Sequence, residues 1–583
     1  MYSLDKIKLN IVELINKALG KDIIQAPDLI FPPNSEFGDL SLPCFGIAKQ
    51  FKKSPAAMAE QLVSKISSKG LNSLSAAGPY LNFTINKEYL AEAVIGEIAK
   101  TKDEYGKNKT GENKKVMIEY SNANTHKEYH VGHLRNLCYG DSVNRILAAN
   151  GYKSIPVSYI NDFGIHAAKT LWCYLEFYKD KKLPENKGFF LGQIYARSTK
   201  ELKKNPLAKE LAAFMMKKIE SREGEEYELW QKTREWSIEQ LDKIYQELGI
   251  KFEHIFYESE FMDKGRDMVV ELHEKRVLKK SGGAIIADLE KYNLGVLVFI
   301  RSDGTALYPV ADLPLALEKF KKYKLDKSIH IVDIRQSLYF KQLFKLLELL
   351  GLKKEMIHLG YDVVKLPSGM MSSRSGNVIT YEDLKELAMK KATEETKKRH
   401  KDWSDKKIKE TAKKIVNGAI KFEMIKVGAE QIITFDIDQA LRFDGFTAAY
   451  LQYTCARIQS ILRKSQITNP PGRASHSGAG KSQINSKSKI QNSKLGEPKE
   501  QELIMKLAKY PEIVEQAGKN YDPAEIAKYL FELAQIFNDY YHSVPVLKTE
   551  EKTRAARLVL IGAVSQTLAN GLGLLGIEAM EEM

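Results

Sequence analysis

The chain contains 583 residues, of which 43% are hydrophobic and 28% are charged, and its formal net charge is +14. This composition is typical of a globular protein with three or four domains, and it excludes a collagen-like, disulfide-scaffolded or wholly disordered chain. The basic balance is compatible with a polyanionic partner, although it does not identify one.

The cysteines and the apolar segments predict a reducing, cytoplasmic environment. The four cysteines are far apart and form no CxxC pair, so neither a zinc site nor a disulfide framework is expected. The N-terminal residues carry charges throughout, unlike a signal peptide. Residues 558–577 are uncharged but contain polar side chains and four glycines, so we expect buried bundle helices there and no membrane association.

Residues 1–108 predict a small α/β unit. An amphipathic helix lies near the start, a second helical pattern begins at Ala56, and strand alternation begins at Tyr80.

The next segment predicts a β-loop-α-β unit. Residues 114–121 are β-branched and apolar, and a polar loop follows at 122–129. Apolar residues then recur every three or four positions from about His133 to Asn150, and the strand 155–160 comes next. This order is typical of the start of a parallel nucleotide-binding sheet.

Further along the chain, helical and strand patterns alternate. Charged helical sequence fills about 170–275, and helices separate several of the later strands. The predicted strands lie at 283–289, 295–300, 328–334 and 356–364. Alternation of this kind indicates one open parallel sheet.

From about residue 381 the pattern is helical to the C-terminus, with one interruption. Residues 465–500 lack aromatic side chains and are rich in Ser, Gly, Asn, Pro and Lys, which predicts a mobile insert.

The strongest chemical signal is the sequence His130-Val131-Gly132-His133 at the predicted strand-to-helix turn. A helix N-terminus offers free N–H groups and a positive dipole end to phosphate, and two imidazoles can donate to phosphate oxygens. We expect Gly132 to allow close approach of a base or backbone. Two surface histidines that cap a helix remain the alternative interpretation.

On these residues the chain resembles the class I aminoacyl-tRNA synthetases, whose first signature is HxGH, and in particular the arginyl-tRNA synthetases. The resemblance covers nearly the whole chain apart from the 465–500 insert. The matching blocks are 37–49, 78–83, 118–147, 304–313, 448–464 and 554–583.

The resemblance implies a multidomain α/β fold. A small N-terminal tRNA-contacting α/β domain would span 1–108, and a Rossmann-like parallel-sheet catalytic domain would span 109–390 with the helical insertion at about 170–275. An all-α anticodon-binding bundle would follow at 391–583.

The resemblance also implies a two-step ligase reaction. Arginine attacks the α-phosphate of ATP to form arginyl-adenylate, and the arginyl group then moves to the 3′ end of tRNA(Arg). Such chemistry depends on positioned donors and on Mg²⁺ bound with ATP. We expect a monomer that holds no metal ion of its own.

A second signature of this class, KMSKS, contacts phosphates through its lysines. Here residues 370–377 occupy its place and contain neither lysine, so we hypothesise that Lys127 and Arg374 supply the cationic contacts. A solvated loop lysine is the alternative for Lys127. The loop residues expected to bind ATP are Met371, Ser372, Ser373, Ser375, Gly376 and Asn377.

Arginine needs planar carboxylate partners for its guanidinium group. Asp312 matches the family pattern for that pocket, and Tyr339 stands where the family usually has histidine. The other positions that match the arginine site are Asn124, Tyr308, Gln336 and Glu258.

Basic and aromatic side chains are candidates for tRNA contact, because cations bind phosphates and aromatic rings stack on unpaired bases. For the tyrosines, core packing is the alternative. Pro545 occupies an aromatic position of the family. The candidates are Tyr453, Arg457, Arg463, Tyr541 and Met583 in the bundle, and Tyr80 and Asn82 for the tRNA D-loop.

Two other functions remain open at this point. One is a nucleotidyltransferase that uses HxGH to adenylylate a small molecule, although it would need no long helical C-terminal region. The other is a catalytically inactive tRNA-binding relative, which the missing KMSKS lysines suggest and the intact HxGH opposes.

Overall fold

The computed structural model describes residues 1–66, 71–367, 369–370, 379–468 and 495–583. The strands are β1 (Leu40–Pro43), β2 (Leu71–Ala77), β3 (Tyr80–Ile85), β4 (Lys115–Glu119), β5 (Lys153–Ile160), β6 (His254–Tyr257), β7 (Lys279–Ser281), β8 (Ala284–Asp288), β9 (Val296–Ile300), β10 (Lys327–Asp333), β11 (Glu355–Tyr361), β12 (Val364–Leu366), β13 (Gly369–Met370) and β14 (Ile433–Thr434).

The helices cover most of the remaining described chain. They are α1 (Ser3–Leu19), α2 (Phe45–Gln50), α3 (Pro55–Lys65), α4 (Lys87–Thr101), α5 (Val131–Ala149), α6 (Ile165–Phe177), α7 (Lys187–Lys204), α8 (Pro206–Glu220), α9 (Glu225–Glu247), α10 (Met262–Glu274), α11 (Pro309–Tyr323), α12 (Ser337–Leu349), α13 (Tyr381–Arg399), α14 (Asp405–Ile425), α15 (Ile437–Ala440), α16 (Ala448–Thr468), α17 (Pro498–Asn520), α18 (Pro523–Ser543) and α19 (Glu551–Leu574).

A five-stranded parallel sheet forms the centre of the molecule and confirms the predicted fold class. Its strand order is β11-β10-β4-β5-β6, and every neighbouring pair is parallel. The chain enters at β4, continues through β5 and β6 on one side, and later adds β10 and β11 on the other. The order therefore reverses between β4 and β10, where parallel α/β sheets open a crevice at their carboxyl ends.

Strands β8 and β9 do not join this sheet, so the prediction that they do is wrong. They form a separate antiparallel sheet with β7 in the order β7-β8-β9. The physical reason is connection length. Residues 289–295 link β8 to β9 with only one short 3₁₀ turn, whereas a parallel crossover needs a dozen or more residues.

The N-terminal region is a three-stranded antiparallel sheet in the order β1-β3-β2, with helices α1 to α4 around it. It contacts the C-terminal helices directly. The Tyr105 hydroxyl donates to the Leu507 carbonyl at 2.9 Å, and Lys8 pairs with Glu512 at 2.8 Å.

The C-terminal region is a bundle of helices from α13 onward, as the sequence predicts. The two ends of the expected 465–500 insert are helical, because α16 runs to Thr468 and α17 begins at Pro498. Residues 469–494 lie outside the described residues. Glu500, in the first turn of α17, forms a buried ion pair with Arg557 of α19 at 2.7 Å. Over the described ranges, no helix is both long enough and apolar enough to cross a bilayer.

Candidate active site

A cavity of about 730 Å³ opens at the carboxyl ends of β4, β5 and β10, at the point where the strand order reverses. Eight of the site residues predicted from the sequence line this one cavity, although the first and the last of them are more than 200 residues apart in the chain. They are Asn124, Lys127, His130, Gly132, His133, Tyr308, Asp312 and Gln336.

His130 and His133 form a stacked pair at the N-terminus of α5. Their ring centroids lie 3.8 Å apart with an interplanar angle of 28°. The His130 backbone N–H donates to His133 Nδ1 at 3.1 Å, and the Gly132 backbone N–H donates to His130 Nδ1 at 3.1 Å. The two histidines therefore cap the helix and fix each other's orientation.

These backbone contacts determine the tautomer of both rings. A backbone N–H can only donate, so each Nδ1 must be an acceptor and the ring proton of the neutral imidazole must be on Nε2. Burial and the nearby Lys127 lower the pKa of His130 to about 4, and burial lowers the pKa of His133 well below its usual range. Both rings are thus neutral donors through Nε2 at physiological pH.

Gly132 leaves room for the ring of His130, which the sequence did not reveal. The expected close approach of a base or backbone stays a prediction. A Cβ at position 132 would lie 2.9 Å from Cε1 and 3.0 Å from Nδ1 of the His130 ring. Any larger residue would therefore displace the imidazole.

The loop between β4 and α5, which carries Lys127, is attached to helix α9. His126 is fully buried, and its backbone N–H donates to Ser237 Oγ at 3.0 Å. Its Nε2 lies 2.9 Å from Thr233 Oγ1. Burial lowers the pKa of His126 to about 3, so the ring is neutral and acts as a hydrogen-bonded spacer.

Helix α7 supports the same loop from another side. A Cβ on Gly192 would lie 2.9 Å from the Glu128 backbone nitrogen, so the helix and the loop touch backbone to backbone. The Lys127 ammonium lies 5.5 Å from the centroid of the Tyr195 ring. Burial lowers the pKa of Lys127 to about 8, which Glu258 partly offsets. Lys127 is thus a partly desolvated cation that lines the cavity.

Asp312 is the carboxylate at the far end of the cavity. Its Oδ2 accepts a hydrogen bond from the Tyr339 hydroxyl, whereas its Oδ1 is buried and has no hydrogen-bond partner among the described residues. The Tyr159 hydroxyl is buried beside Asp312 without a well-aligned hydrogen bond to it, but it is close enough to lower the pKa of that carboxyl. Burial raises the pKa of Asp312 to about 6, and the bond from Tyr339 opposes that rise.

Glu258 does not line the cavity itself. It is 7% exposed and lies behind Asn161, which does line the cavity. The side-chain amide of Asn161 donates to Glu258 Oε2 at 3.2 Å. Burial raises the pKa of Glu258 to about 8, so the carboxyl is mostly protonated at neutral pH.

A buried charge cluster in the cavity wall was missed by the sequence analysis. Glu119 pairs with Lys319, and His330 Nδ1 lies 3.3 Å from Glu119 Oε1. Burial opposes ionisation, but Lys319 and His330 outweigh it and hold the pKa of Glu119 below its usual range. A glutamate at the end of an otherwise apolar strand was the available signal.

The remaining arginine-site candidates lie at the cavity mouth. Tyr308 is 64% exposed, and Gln336 is exposed in the 3₁₀ turn Ile334–Gln336. Asn124 is partly buried and forms an isolated parallel bridge with Asn161. The structure thus groups these three side chains around one opening without a direct bond between them.

Comparisons with known proteins decide the family. Residues 95–435, more than half of the chain, match the model for "tRNA synthetases class I (R), catalytic domain". Residues 5–85 match "Arginyl tRNA synthetase N terminal domain", and residues 451–583 match "DALR anticodon binding domain". The chain belongs to the arginyl-tRNA synthetase family.

Individual relatives agree with this membership. Arginine–tRNA ligase of Bdellovibrio bacteriovorus is 35% identical and aligns over 100% of both chains. The Clostridium acetobutylicum enzyme of the same name is 35% identical over 98% of this chain and 99% of its own. The solved arginyl-tRNA synthetase of Thermus thermophilus has a TM-score of 0.77 at 26% identity, covering 99% of this chain and 100% of that one. Membership of class I implies use of ATP.

The predicted ATP loop follows β13 in the sequence. Arg374 and the loop residues from Met371 to Asn377 lie outside the described residues. The short strands β12 and β13 lead into that segment, and β12 pairs with β14.

The predicted tRNA contacts have mixed exposure. Tyr80 is 38% exposed and meets the exposed ring of Phe45 edge-on at 5.9 Å, whereas Asn82 is 4% exposed and its side chain does not reach the surface. Arg457 lies 4.9 Å from the Tyr541 ring centroid. Tyr453 and Met583 are partly buried, and Arg463 donates to the Glu581 carbonyl.

Proposed function

We propose that this chain joins arginine to tRNA(Arg) at the expense of ATP, through an arginyl-adenylate. The observation that carries the proposal is the cavity itself. It combines a histidine-capped helix N-terminus, suited to phosphate, with a buried carboxylate whose free oxygen suits a guanidinium group.

The phosphate end is formed by His130, His133 and Lys127. The two Nε2–H groups are neutral donors held in place by backbone contacts, so they need no reorganisation when charge develops on the α-phosphate. Lys127 adds a positive charge from a partly desolvated position. Arg374 and its loop would complete the contacts to the triphosphate.

The amino-acid end is formed by Asp312 with Glu258 behind it. The guanidinium would donate to Asp312 Oδ1, while Tyr308 covers the opening. Asn124 and Gln336 at the mouth are placed to hold the α-amino and carboxylate groups. The arginine carboxylate would then attack the α-phosphate in line and displace pyrophosphate, so alignment of two bound substrates supplies most of the catalysis.

Magnesium would enter with ATP as part of the substrate. Mg²⁺ takes oxygen ligands and is commonly held by phosphates with one or two carboxylates. Within the described ranges, no group of three or more His, Cys, Asp or Glu side chains is arranged to hold a metal. The nearby Glu119 and Asp312 are already paired with Lys319 and Tyr339.

The tRNA would bind along the N-terminal unit and the C-terminal bundle. Tyr80 and the Arg457–Tyr541 pair are the best-placed candidates for stacking and phosphate contact. We infer a monomer, because one copy supplies all the described lining of the cavity. The four free, buried cysteines support a cytoplasmic location, and none of the substrates requires a membrane.

The test is ATP–pyrophosphate exchange with each of the twenty amino acids, with and without tRNA. We expect exchange and charging with arginine and strong rejection of lysine, since lysine lacks the planar fork. Exchange that ignores both arginine and tRNA would instead indicate a small-molecule nucleotidyltransferase. Binding of tRNA without any exchange would indicate an inactive relative.

A further inference from the structure

The hydrogen bond between Tyr339 and Asp312 connects two helices across the amino-acid end of the cavity. We propose that Tyr339 is a positioning residue for arginine recognition: by donating to Oδ2 it orients Asp312 so that Oδ1 receives the substrate guanidinium. This inference rests on the proposed function and adds a residue that stands where the family usually has histidine.

The positions of the two residues explain why the bond controls orientation. Asp312 lies in the first turn of α11 and Tyr339 lies in the first turn of α12. Rotation about the Asp312 side chain could turn both oxygens away from the cavity. A donor fixed on another helix opposes this rotation, because the Tyr339 hydroxyl donates to one oxygen and so holds the other in place.

The Tyr339 hydroxyl remains a donor under all ordinary conditions. Burial and the adjacent Asp312 raise the pKa of Tyr339 well above its usual range, so the phenol keeps its proton. A guanidinium group can only donate, so the bound substrate cannot compete for the Tyr339 proton. Tyrosine and arginine therefore occupy opposite oxygens of one carboxylate.

The same bond favours the ionised form of Asp312. Burial alone raises the pKa of this carboxyl, and a donor to the carboxylate opposes the rise. Without the donor, a larger share of Asp312 would be protonated near neutral pH and would attract the guanidinium group less strongly.

Charged and titratable groups from every element around Asp312 contribute to this balance. Burial and the charge of Glu119 raise its pKa, whereas the hydroxyls of Tyr339 and Tyr159 and the charge of Lys319 lower it. The groups are Glu119 on β4, Tyr159 on β5, Glu258 after β6, Lys319 on α11, His330 on β10 and Tyr339 on α12.

The experiment measures tRNA-supported ATP–pyrophosphate exchange by full-length Tyr339→Phe from pH 5.5 to 8.5. We expect the KM for arginine to rise about tenfold at pH 7, the size of effect expected for a hydrogen bond to a charged group, and the KM for ATP to stay within about twofold. The acid limb of kcat/KM for arginine should move to higher pH. An unchanged arginine KM, or an equal rise in both KM values, would overturn the proposal.

Tyr529→Phe is the matched control, because it also removes one buried tyrosine hydroxyl that donates a hydrogen bond, here to the Lys506 carbonyl in the bundle. It should leave both KM values and the pH profile unchanged. A shift equal to that of Tyr339→Phe would attribute the effect to general loosening and reject the positioning role.

A double-mutant cycle separates action through Asp312 from an independent contact. In an Asp312→Asn background, Tyr339→Phe should cause no further loss of arginine kcat/KM, and a full additional tenfold loss would contradict the proposal. Failure of the wild-type chain to charge arginine would reject the proposed function. If the wild type charges arginine and Tyr339→Phe leaves the KM for arginine unchanged, only the role of Tyr339 is rejected.

Discussion

His130 and His133 stack with their ring centroids 3.8 Å apart while each accepts a backbone N–H at Nδ1. One consequence is that both rings present a proton on Nε2 without carrying charge. Replacing His130 by alanine should slow adenylate formation by about two to three orders of magnitude, the scale of removing a preorganised donor. Single-turnover exchange measures this step, and filter binding should show unchanged tRNA affinity.

The lowered pKa of His130, about 4, also predicts the pH profile. The ring stays neutral above that value, so protonation of His130 should not lower kcat near pH 6.5 at saturating arginine and ATP. Any acid limb near that pH should therefore persist in His130→Ala. A limb at that pH, lost in the variant, would mean that the imidazolium takes part in the step.

Gly132→Ala should reduce exchange by about one to two orders of magnitude, because the new Cβ would meet the His130 ring at 2.9 Å and turn it from its position. Thermal stability should not fall in parallel, since alanine favours helix. Gly96→Ala in α4 is the control: its Cβ would meet nothing within 4 Å. Normal exchange by Gly132→Ala would show that the position of His130 is not critical.

Lys127 should give the enzyme a basic limb in its use of ATP. With the pKa lowered to about 8, the ammonium is charged below that value and loses its charge above it. We therefore expect kcat/KM for ATP, at saturating arginine, to fall above about pH 8. Lys127→Arg should abolish this limb because arginine stays charged, and Lys127→Met should give a low, flat profile. Near-normal activity of Lys127→Met at pH 7 would show that Lys127 is an ordinary loop lysine with no role in the use of ATP.

Arginine binding should release a proton from Glu258. Its pKa is raised to about 8, so the free enzyme holds this proton at pH 7, and an incoming guanidinium favours the ionised form. Calorimetry in buffers of different ionisation enthalpy should detect close to one proton released per arginine at pH 7 and much less at pH 9. Glu258→Gln should eliminate the release, whereas Glu260→Gln, exposed in the same 3₁₀ turn, should not. Equal release by Glu258→Gln would assign the proton to another group.

The Glu500–Arg557 pair should contribute to stability rather than catalysis. Its side chains are 0% and 8% exposed, so Glu500→Gln leaves a buried guanidinium without its carboxylate and should cost about 3–5 kcal/mol in urea unfolding followed by circular dichroism. Glu502→Gln, which breaks the exposed pair with Lys499, should cost less than about 1 kcal/mol. The double change Glu500→Leu with Arg557→Met should recover most of the loss.

The phosphate end of the site could be predicted from the sequence because its parts are close together in the chain. A β-branched strand, a polar loop and a helix with regular apolar spacing locate His130 and His133 at the first turn of α5. Local patterns of this kind survive folding with shifts of one or two residues at the ends. What they do not contain is the mutual hydrogen bonding of the two rings.

The partners of the arginine end could not be predicted in the same way. Glu119 and His330 are direct neighbours in the register of β4 and β10, although 211 residues separate them. Tyr339 meets Asp312 across two helices. Such pairs leave no periodic pattern, and they appear only when the strand order is known. The pairing of β8 and β9 was not predicted either. Their sequences resemble parallel strands, but the connection between them is too short for a parallel crossover.

The attachment of the Lys127 loop to α7 and α9 has a consequence for protein engineering. Ser237 and Thr233 on α9 and Gly192 on α7 each contact a residue next to Lys127. A minimised enzyme that omitted residues 187–247 would therefore lose the helices that hold its nucleotide-facing loop in place, even if the central sheet remained intact. Helices α7 and α9 therefore support the chemistry of the site and are not removable additions to the fold.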